Sequence, residues 1–349
     1  MARTKKPYAE PVIRYIKDHP LCSSQEILAG TGLDISIATL KRELQQLAAK
    51  KLITVTGKLK GARYSIDPGY NINRPIDVND YFKKEVDKRV IHASYDHTLI
   101  NEKLGAVSLF SAEDLQRLDA LQHVFSSNVS KLSAAAFQKE MERLAIDLSW
   151  KSSEIEGNTY SLLETEILLK DKKTAEGKTK DEAVMLLNHK DAIDFIVANP
   201  GYLKPLTVAG IENIHSLLVK ELGIDRNIRS RRVGISGTNY RPLDNAFQIK
   251  EALEDMCALI NRKDNVFEKA LLALVLISYI QPFADGNKRT SRIVSNAILI
   301  DHRYCPVSFR TVDAAEYKKA MLIFYEQHNI SAFREIFINQ FEFAVNTYF

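Results

Sequence analysis

Twelve residues near the middle of the second half combine charged side chains with turn formers: Gln-Pro-Phe-Ala-Asp-Gly-Asn-Lys-Arg-Thr-Ser-Arg at 281–292. Residues 267–280 are apolar nearly all round and predict a buried helix, which Pro282 ends. A second apolar helix is predicted from about Lys288 to Ile300. The loop between the two helices therefore presents backbone N–H groups and the positive end of a helix at one point, which is an anion site.

The side chains of this loop suit a polyphosphate. Arg289 and Arg292 are three residues apart on a helix and reach the same side, and guanidinium groups match phosphate oxygens bidentately. Gly286 permits a close approach that a side chain would obstruct. Asp285 predicts a Mg²⁺ ion between its carboxylate and the phosphates. The alternative, an Asp–Arg ion pair that caps a helix, fits the glycine, the asparagine and the two spaced arginines poorly.

The segment resembles the signature of the Fic family, H-x-F-x-[DE]-G-N-[GK]-R-x-x-R, at every position except the first, and the resemblance covers about residues 120–349. It implies a helical protein that transfers AMP from ATP to a hydroxyl side chain of a target protein, with ATP and Mg²⁺ as ligands. By this resemblance Asp285 holds Mg²⁺ and Arg292 holds the γ-phosphate. The other nucleotide-binding residues that it implies are Phe283, Gly286, Asn287, Lys288 and Arg289.

Two further segments fit the same resemblance. Residues 231–242 resemble the family's flap, a β-hairpin that aligns a target segment by strand pairing. The target-docking residues are then Ile235, Ser236, Gly237, Thr238 and Tyr240. Downstream, Tyr317 and Tyr325 lie at helical spacing where the family often builds its adenine pocket; ordinary core aromatics are the alternative interpretation.

An inhibitory motif precedes the loop in the same chain. Ser152-Ser-Glu-Ile-Glu-Gly-Asn158 matches the family pattern [ST]-x-x-x-E-[GN] through Ser152, Glu156 and Gly157. A helix is predicted over about 137–158, and Gly157 ends it. In the family this glutamate pairs with the second motif arginine, here Arg292, and obstructs γ-phosphate binding. A surface glutamate at a helix end is the alternative.

The first position of the signature is a histidine in the family, where it is the general base, and Gln281 stands there in this chain. An amide has no titratable lone pair near neutral pH, so this position loses about 10²–10⁴ in rate. Three explanations remain: a nucleotide-binding pseudoenzyme, a slow or altered transferase whose base is unnecessary or comes from elsewhere, such as the target, or an introduced substitution. None of the eight histidines has a motif that would replace the base; His215 lies in an apolar helix.

Residues 1–70 form a basic head with 12 Lys and Arg against 6 Asp and Glu, a net charge of +6, whereas the remaining residues carry −2. Three short helices are predicted, the third with Ile37, Leu40, Leu44 and Leu47 towards the core. A hairpin over Ile53–Ile66 follows. This order resembles a winged helix-turn-helix over about residues 8–67, which implies binding of double-stranded DNA. The DNA-binding residues would be Thr39, Arg42, Gln45, Gln46, Lys58, Lys60 and Arg63.

A protein-docking or dimerisation module, giving a homodimer, is the alternative use of this head, because one arginine and two glutamines make a weak DNA-reading face. We expect a helical linker region at 71–120, with a charged helix over Asp80–Lys103 and another from Ser111 to about Phe125. Residues 121–349 are then the Fic domain, and the fold is mainly α. The basic start Met1–Lys6 has no apolar continuation, no apolar run is long enough to span a membrane, and Cys22, Cys257 and Cys305 show no metal or disulfide spacing. These features predict a cytoplasmic protein with reduced thiols.

Two functions remain open at this stage. The first is an AMP transferase that is autoinhibited by Glu156 and weakened by Gln281, and the flap favours it. The second is a nucleotide-sensing, DNA-binding regulator, which the basic head and Gln281 favour.

Overall fold

The computed structural model describes residues 8–349, so the basic segment Met1–Lys6 lies outside the described residues, as does the side chain of Lys60. The chain is mainly helical, as predicted, with one small antiparallel hairpin among the described residues. No helix within 8–349 is both long and apolar enough to cross a bilayer.

The first unit is built from three helices and a hairpin. Its elements are α1 (Ala9–Asp18), α2 (Ser24–Thr31), α3 (Ile37–Ala49), β1 (Ile53–Thr56) and β2 (Arg63–Ile66). The Ser23 hydroxyl accepts from Glu26 N while the Glu26 carboxylate accepts from Ser23 N, a capping box that starts α2. The buried side chains form a cluster of their own around Leu40, Leu44 and Leu47.

One residue of the predicted core stripe lies elsewhere. Ile37 is 38% exposed, so its prediction as a core residue is wrong. It is the first residue of α3, directly after the Ser36 cap, and the first turn extends past the edge of the small core. Glu43 of the same helix is buried instead.

The segment after the hairpin is mostly irregular. Its helices are α4 (Tyr70–Asn73), α5 (Val78–Tyr81) and α6 (Leu104–Ala106), with a π-helical turn at Leu99–Lys103. The predicted charged helix over Asp80–Lys103 is therefore wrong. The backbone of this segment pairs with distant parts of the chain instead: His92 N donates to Glu326 O at 2.9 Å, and Ala93 O accepts from Arg241 N at 2.9 Å.

The large helical body follows from residue 112. Its helices are α7 (Ala112–Val129), α8 (Ala134–Ile155), α9 (Leu162–Asp171), α10 (Lys180–Ala198), α11 (Val208–Leu218), α12 (Ala246–Arg262), α13 (Val266–Ile280), α14 (Asn287–Asp301), α15 (Ala314–Gln327) and α16 (Ser331–Tyr348). The consecutive helices α13 and α14 form the centre of the body, and nearly every side chain of α13 is buried. This agrees with its apolar sequence on all faces.

Polar residues start most of these helices. The Ser111, Ser133, Ser161 and Thr179 side chains each accept a hydrogen bond from a backbone N–H of the first turn of α7, α8, α9 and α10, which satisfies donors that have no partner within the helix. The end of α8 contacts α14 through Glu156, which pairs with Lys288 and Arg292, so residues 152–158 meet the loop between α13 and α14. Cys22, Cys257 and Cys305 are buried free thiols.

We expect Leu44→Ala to lower the free energy of unfolding of the first unit by about 2–5 kcal/mol, because it leaves a cavity in a small core. Ile37→Ala on the same helix is the matched control and should change it by less than about 0.5 kcal/mol, since the side chain is exposed. Urea denaturation followed by circular dichroism measures both. Equal destabilisation by the two variants would contradict this description of the core.

Candidate functional site

The loop between α13 and α14 is held by one side-chain clamp. Gln281 ends α13 in the left-handed conformation (φ 52°), and Gly286 precedes α14 at φ 81°, a value that favours glycine. The Asn287 amide accepts from Phe283 N at 2.9 Å and donates to Phe283 O at 2.8 Å. These bonds close the loop on itself and leave the amino terminus of α14 towards the cleft.

Neighbouring side chains support the loop from below. The His215 ring stacks on Phe283 with centroids 3.7 Å apart, and its Nε2 lies 3.0 Å from Asp285 O. Burial lowers the pKa of His215, and the carbonyls that it contacts only partly offset this. His215 is therefore part of the support of the loop, as its apolar helix predicts.

A cleft of about 350 Å³ opens above the loop. One wall is the end of α8 with Glu156, a second is the flap, and a third is α15. The predicted site residues that line it are Glu156, Ile235, Ser236, Gln281, Asp285, Asn287, Lys288 and Tyr325. The structure thus brings the loop, the inhibitory motif and part of the flap to one cavity.

The two arginines of the signature lie beneath this cleft. Arg289 is buried, and its Nη2 donates to Asp285 Oδ2 at 3.0 Å. Arg292 is fully buried, and its Nη2 donates to Glu156 Oε1 at 3.0 Å. Two nitrogens of Arg289 and one of Arg292 have no partner among the described residues, which leaves donors free for an anion at the loop.

Glu156, the residue that follows α8, contacts a lysine as well as Arg292. Its second oxygen, Oε2, accepts from Lys288 Nζ at 3.2 Å. Burial alone would raise the pKa of Glu156, but the charges of Arg292 and Lys288 outweigh it, so the pKa is lowered. Gly157 follows at φ 102° and lets the chain turn away from the helix. The carboxylate therefore pairs with two cationic side chains of α14, Arg292 and Lys288.

The flap has a different structure from the predicted hairpin. Residues 231–242 contain no β-strand; Arg241 forms an isolated bridge with Ser94, and other backbone groups of the flap bond to side chains. Arg229 donates to Gln281 O, Arg231 O and Leu243 O at 2.6–2.7 Å and fixes both ends of the flap to the loop. Gly237 O accepts from Arg89 Nη2 at 2.7 Å.

Only residues 233–236 of the flap line the cleft. They include Ile235 and Ser236, whereas Gly237 and Thr238 are not among the lining residues. The Thr238 hydroxyl accepts from Tyr240 N at 3.1 Å. Tyr240 is buried and donates to Tyr279 O at 3.0 Å, so it anchors the flap and has little surface for a partner.

The two tyrosines of α15 have different surroundings. Tyr325 lines the cleft beside Gln281. Tyr317 is fully buried, and the Arg292 guanidinium carbon lies 5.2 Å from its ring centroid. Tyr317 contributes no surface to the cleft, so the predicted contact with a nucleobase is not what the structure shows. The packing of Tyr317 against Phe309 and Phe333 and beneath Arg292 decides this.

The Gln281 side chain is engaged within the protein at both ends. Its Nε2 donates to Ser278 O at 2.7 Å, and its Oε1 accepts from Asn287 Nδ2 at 3.0 Å. The amide therefore belongs to the clamp that shapes the loop. One lone pair of Oε1 remains for a ligand, and no group at this position accepts a proton near neutral pH.

Some residues of the site carry no sequence motif. Lys318, Met321 and Leu322 line the cleft together with Tyr325, at the spacing of one helix face. Two lysines line the cleft. Lys288 pairs with Glu156, whereas the exposed Lys318 has no ion pair among residues 8–349. Leu322, Met321 and Lys318 lie three, four and seven residues before Tyr325, and this helical spacing could have predicted them from the sequence. Ser152 Oγ, which accepts from Arg292 Nε at 2.8 Å, also lies 2.6 Å from His189 Nε2, and no local pattern marks His189.

The structure also locates the side chains predicted to contact DNA. Arg42 and Gln45 are exposed on α3, and Lys58 and Arg63 are exposed at the hairpin. Thr39 and Gln46 are half-buried, and the Thr39 hydroxyl lies 3.0 Å from Ser36 Oγ. The side chain of Lys60 lies outside the description.

Comparisons with known proteins place the loop in a family. Residues 205–299 match the model of the Fic/DOC family. Proteins named protein adenylyltransferase Fic are 27% identical over 224 residues in Aedes aegypti and 28% identical over 232 residues in Culex quinquefasciatus, covering 62% of this chain and 44% of each relative. The chain thus spans less than half the length of these curated relatives. It carries a Fic/DOC family domain.

Solved structures agree on the fold. Fic-1 (residues 134–508) from C. elegans aligns with a TM-score of 0.58 at 20% identity, over 68% of this chain and 72% of that one. A Fic domain containing signaling protein from Bacteroides thetaiotaomicron aligns with a TM-score of 0.55 at 19% identity, over 66% and 92%. At these identities the likeness describes the fold alone.

The Glu156–Arg292 pair should give stability that is constant at neutral pH. Because the pKa of Glu156 is lowered on folding, this contribution is present above the ordinary glutamate pKa of about 4.3 and is lost as the pH falls through the lowered value. The stability difference between the unsubstituted protein and Glu156→Gln should therefore be flat from about pH 6 to 8 and shrink below about pH 4.5. Urea unfolding at a series of pH values measures it. A difference that changes between pH 6 and 8 would contradict the assignment.

Proposed function

We propose that this chain is a Fic-type, ATP-binding protein adenylyltransferase that modifies a hydroxyl of a target protein. Autoinhibition by Glu156 and a weakened chemical step at Gln281 are parts of the proposal. The observation that carries it is the meeting of the loop, the inhibitory glutamate and the flap around one cleft. The matched Fic/DOC model and the relatives named protein adenylyltransferase Fic support it.

The residues of the loop have separate roles in this proposal. The amino terminus of α14 and Lys288 bind phosphates. Arg292 receives the γ-phosphate when Glu156 leaves, because one guanidinium edge cannot serve a carboxylate and a phosphate at full strength. Tyr325, Met321 and Leu322 give the nucleobase an apolar wall, and Lys318 adds a positive charge at the same wall.

Asp285 is the residue that would hold Mg²⁺. Its carboxylate is 61% exposed at the cleft, and within residues 8–349 no set of three or more His, Cys, Asp or Glu side chains could hold a metal by itself. This fits an ion bound by one carboxylate together with phosphate oxygens. When bound, Mg²⁺ neutralises phosphate charge during transfer. The exposed Asp285 oxygens would orient it over the loop.

Gln281 decides how fast transfer proceeds. The loop geometry is kept by its amide, and positioning and electrostatic stabilisation remain, but the proton of the target hydroxyl has no acceptor at this position. The flap, whose free backbone at Ile235 and Ser236 faces the cleft, would align the target segment by strand addition.

A second candidate is a nucleotide-sensing regulator that binds double-stranded DNA through residues 1–70. A specific observation favours it: residues 8–67 form three helices and a hairpin with a separate buried cluster, and Arg42, Lys58 and Arg63 are exposed on one helix and the hairpin. Dimerisation through this unit, giving a homodimer, is the competing use. A cytoplasmic location belongs to either proposal.

The transfer proposal is tested by intact mass after incubation with Mg·ATP, with self-modification as the readout. We expect an AMP adduct in Glu156→Gly/Gln281→His and a rate about 10²–10⁴ lower in Glu156→Gly alone, because only the double variant has a general base. Asp285→Ala in the double variant is the control and should remove the adduct.

Each outcome of this experiment decides one part. Equal rates with and without Gln281→His would show that the base is dispensable or comes from elsewhere, and Gln281 would not limit transfer. No adduct in any variant, despite nucleotide binding, would favour the regulator.

DNA binding is tested by charge reversal at the hairpin. Lys58→Glu/Lys60→Glu/Arg63→Glu should lower retention on duplex DNA at low salt at least about tenfold, since phosphate contacts dominate such binding. A triple reversal of exposed lysines in the helical body, Lys139, Lys173 and Lys180, changes the net charge equally and is the control. Loss in both triple variants would indicate nonspecific attraction, and loss in neither would exclude the hairpin as a DNA contact.

A further inference from the structure

Arg292 is held by Ser152 as well as by Glu156. Its Nε donates to Ser152 Oγ at 2.8 Å, and its Nη2 donates to Ser152 O at 2.9 Å. Glu156 receives one bond, from Nη2 at 3.0 Å, and Nη1 has no partner among the described residues. Ser152 therefore provides more contacts to this guanidinium than the inhibitory carboxylate does.

The two residues occupy different edges of the guanidinium group. Ser152 binds the side edge, formed by Nε and Nη2. At the end edge, formed by Nη1 and Nη2, Glu156 accepts from Nη2 alone, and Nη1 has no partner among the described residues. A guanidinium edge binds a phosphate through two parallel N–H groups. Removal of Glu156 thus frees the whole end edge, and the side edge stays attached to α8.

The Ser152 hydroxyl needs an acceptor for its own proton to keep this orientation. Among the described residues its oxygen has two side-chain neighbours: Arg292 Nε, which only donates, and His189 Nε2 at 2.6 Å. If His189 Nε2 carried a proton, the hydroxyl proton and the Nδ1 lone pair would both lack partners. If Nδ1 of His189 carries the ring proton instead, only that proton lacks a partner. The Ser152 hydroxyl therefore donates to His189 Nε2.

The surroundings keep His189 neutral. The ring is fully buried, and burial, with added repulsion from Arg292 and Arg289, holds the pKa of His189 well below its usual range. A neutral ring retains the Nε2 lone pair that receives the Ser152 proton. Buried polar contacts of this kind fix the orientation of their members.

We infer that His189 is a positioning residue which, through Ser152, fixes the end edge of Arg292 in line with the terminal phosphate of a nucleoside triphosphate. The inference rests on the proposed function, and it assigns a role to a histidine outside the signature, the inhibitory motif and the flap. Release of Glu156 then exposes an arginine that is already oriented. Loss of the His189 contact should reduce recognition of the third phosphate and leave the rest of the nucleotide site unchanged.

The test measures Mg·ATP and Mg·ADP binding by calorimetry in the Glu156→Gly background. His189→Leu removes the acceptor at similar size, and we expect about tenfold weaker binding of ATP with ADP affinity changed less than about twofold. His189→Gln restores an acceptor amide that reaches the Nε2 position and should recover most of the ATP affinity. ADP binding also reports that each variant is folded.

Ser152→Ala gives an independent check. If the two residues act as one unit, it should weaken ATP binding like His189→Leu, and the double variant should be no worse than either single one. Equal losses for ATP and ADP, or no loss, would overturn the positioning role while the proposed function stands. If Glu156→Gly binds neither nucleotide, the proposed function fails and the inference fails with it.

Discussion

The buried guanidinium of Arg292 is the constraint on which the rest of the site depends. A charge with no solvent exposure is stable only with partners close by, and these partners, Ser152 and Glu156, come from α8, some 140 residues earlier in the chain. The packing of α8 against α14 is therefore fixed by electrostatics as well as by apolar contact. The same requirement places the Glu156 carboxylate in the wall of the cleft, next to the buried arginine.

The loop above this arginine is shaped by two amide side chains and by the guanidinium of Arg229. Asn287 binds the backbone of Phe283 and the side chain of Gln281, and Arg229 joins the carbonyl of Gln281 to both ends of the flap. Because the amide of Gln281 satisfies these hydrogen bonds, the loop between α13 and α14 keeps its shape without a titratable group at this position.

The segment between the first unit and the helical body is fixed to the flap and to α15 through polar contacts. Arg89 donates to Gly237 O in the flap and pairs with Glu326 of α15 at 3.1 Å. Tyr81 donates to the same carboxylate at 2.6 Å. These contacts replace the helix that charge-rich sequence suggested, because a segment that satisfies its backbone and side chains against distant elements has no need of local hydrogen bonds.

The sequence by itself determined the local features and a mainly helical fold. Apolar runs marked α13 and α14, and Pro282 and Gly286 marked the loop between them. The Ser111 cap marked the start of α7. Those signals are local, since caps and breakers act within one turn. Only the tertiary structure decided the direction of each side chain relative to the cleft. It placed Tyr317 beneath Arg292, brought Lys318 to the wall, left the flap without strands and set His189 behind Ser152. Each of these depends on contacts between residues far apart in the chain, which no spacing within a helix encodes.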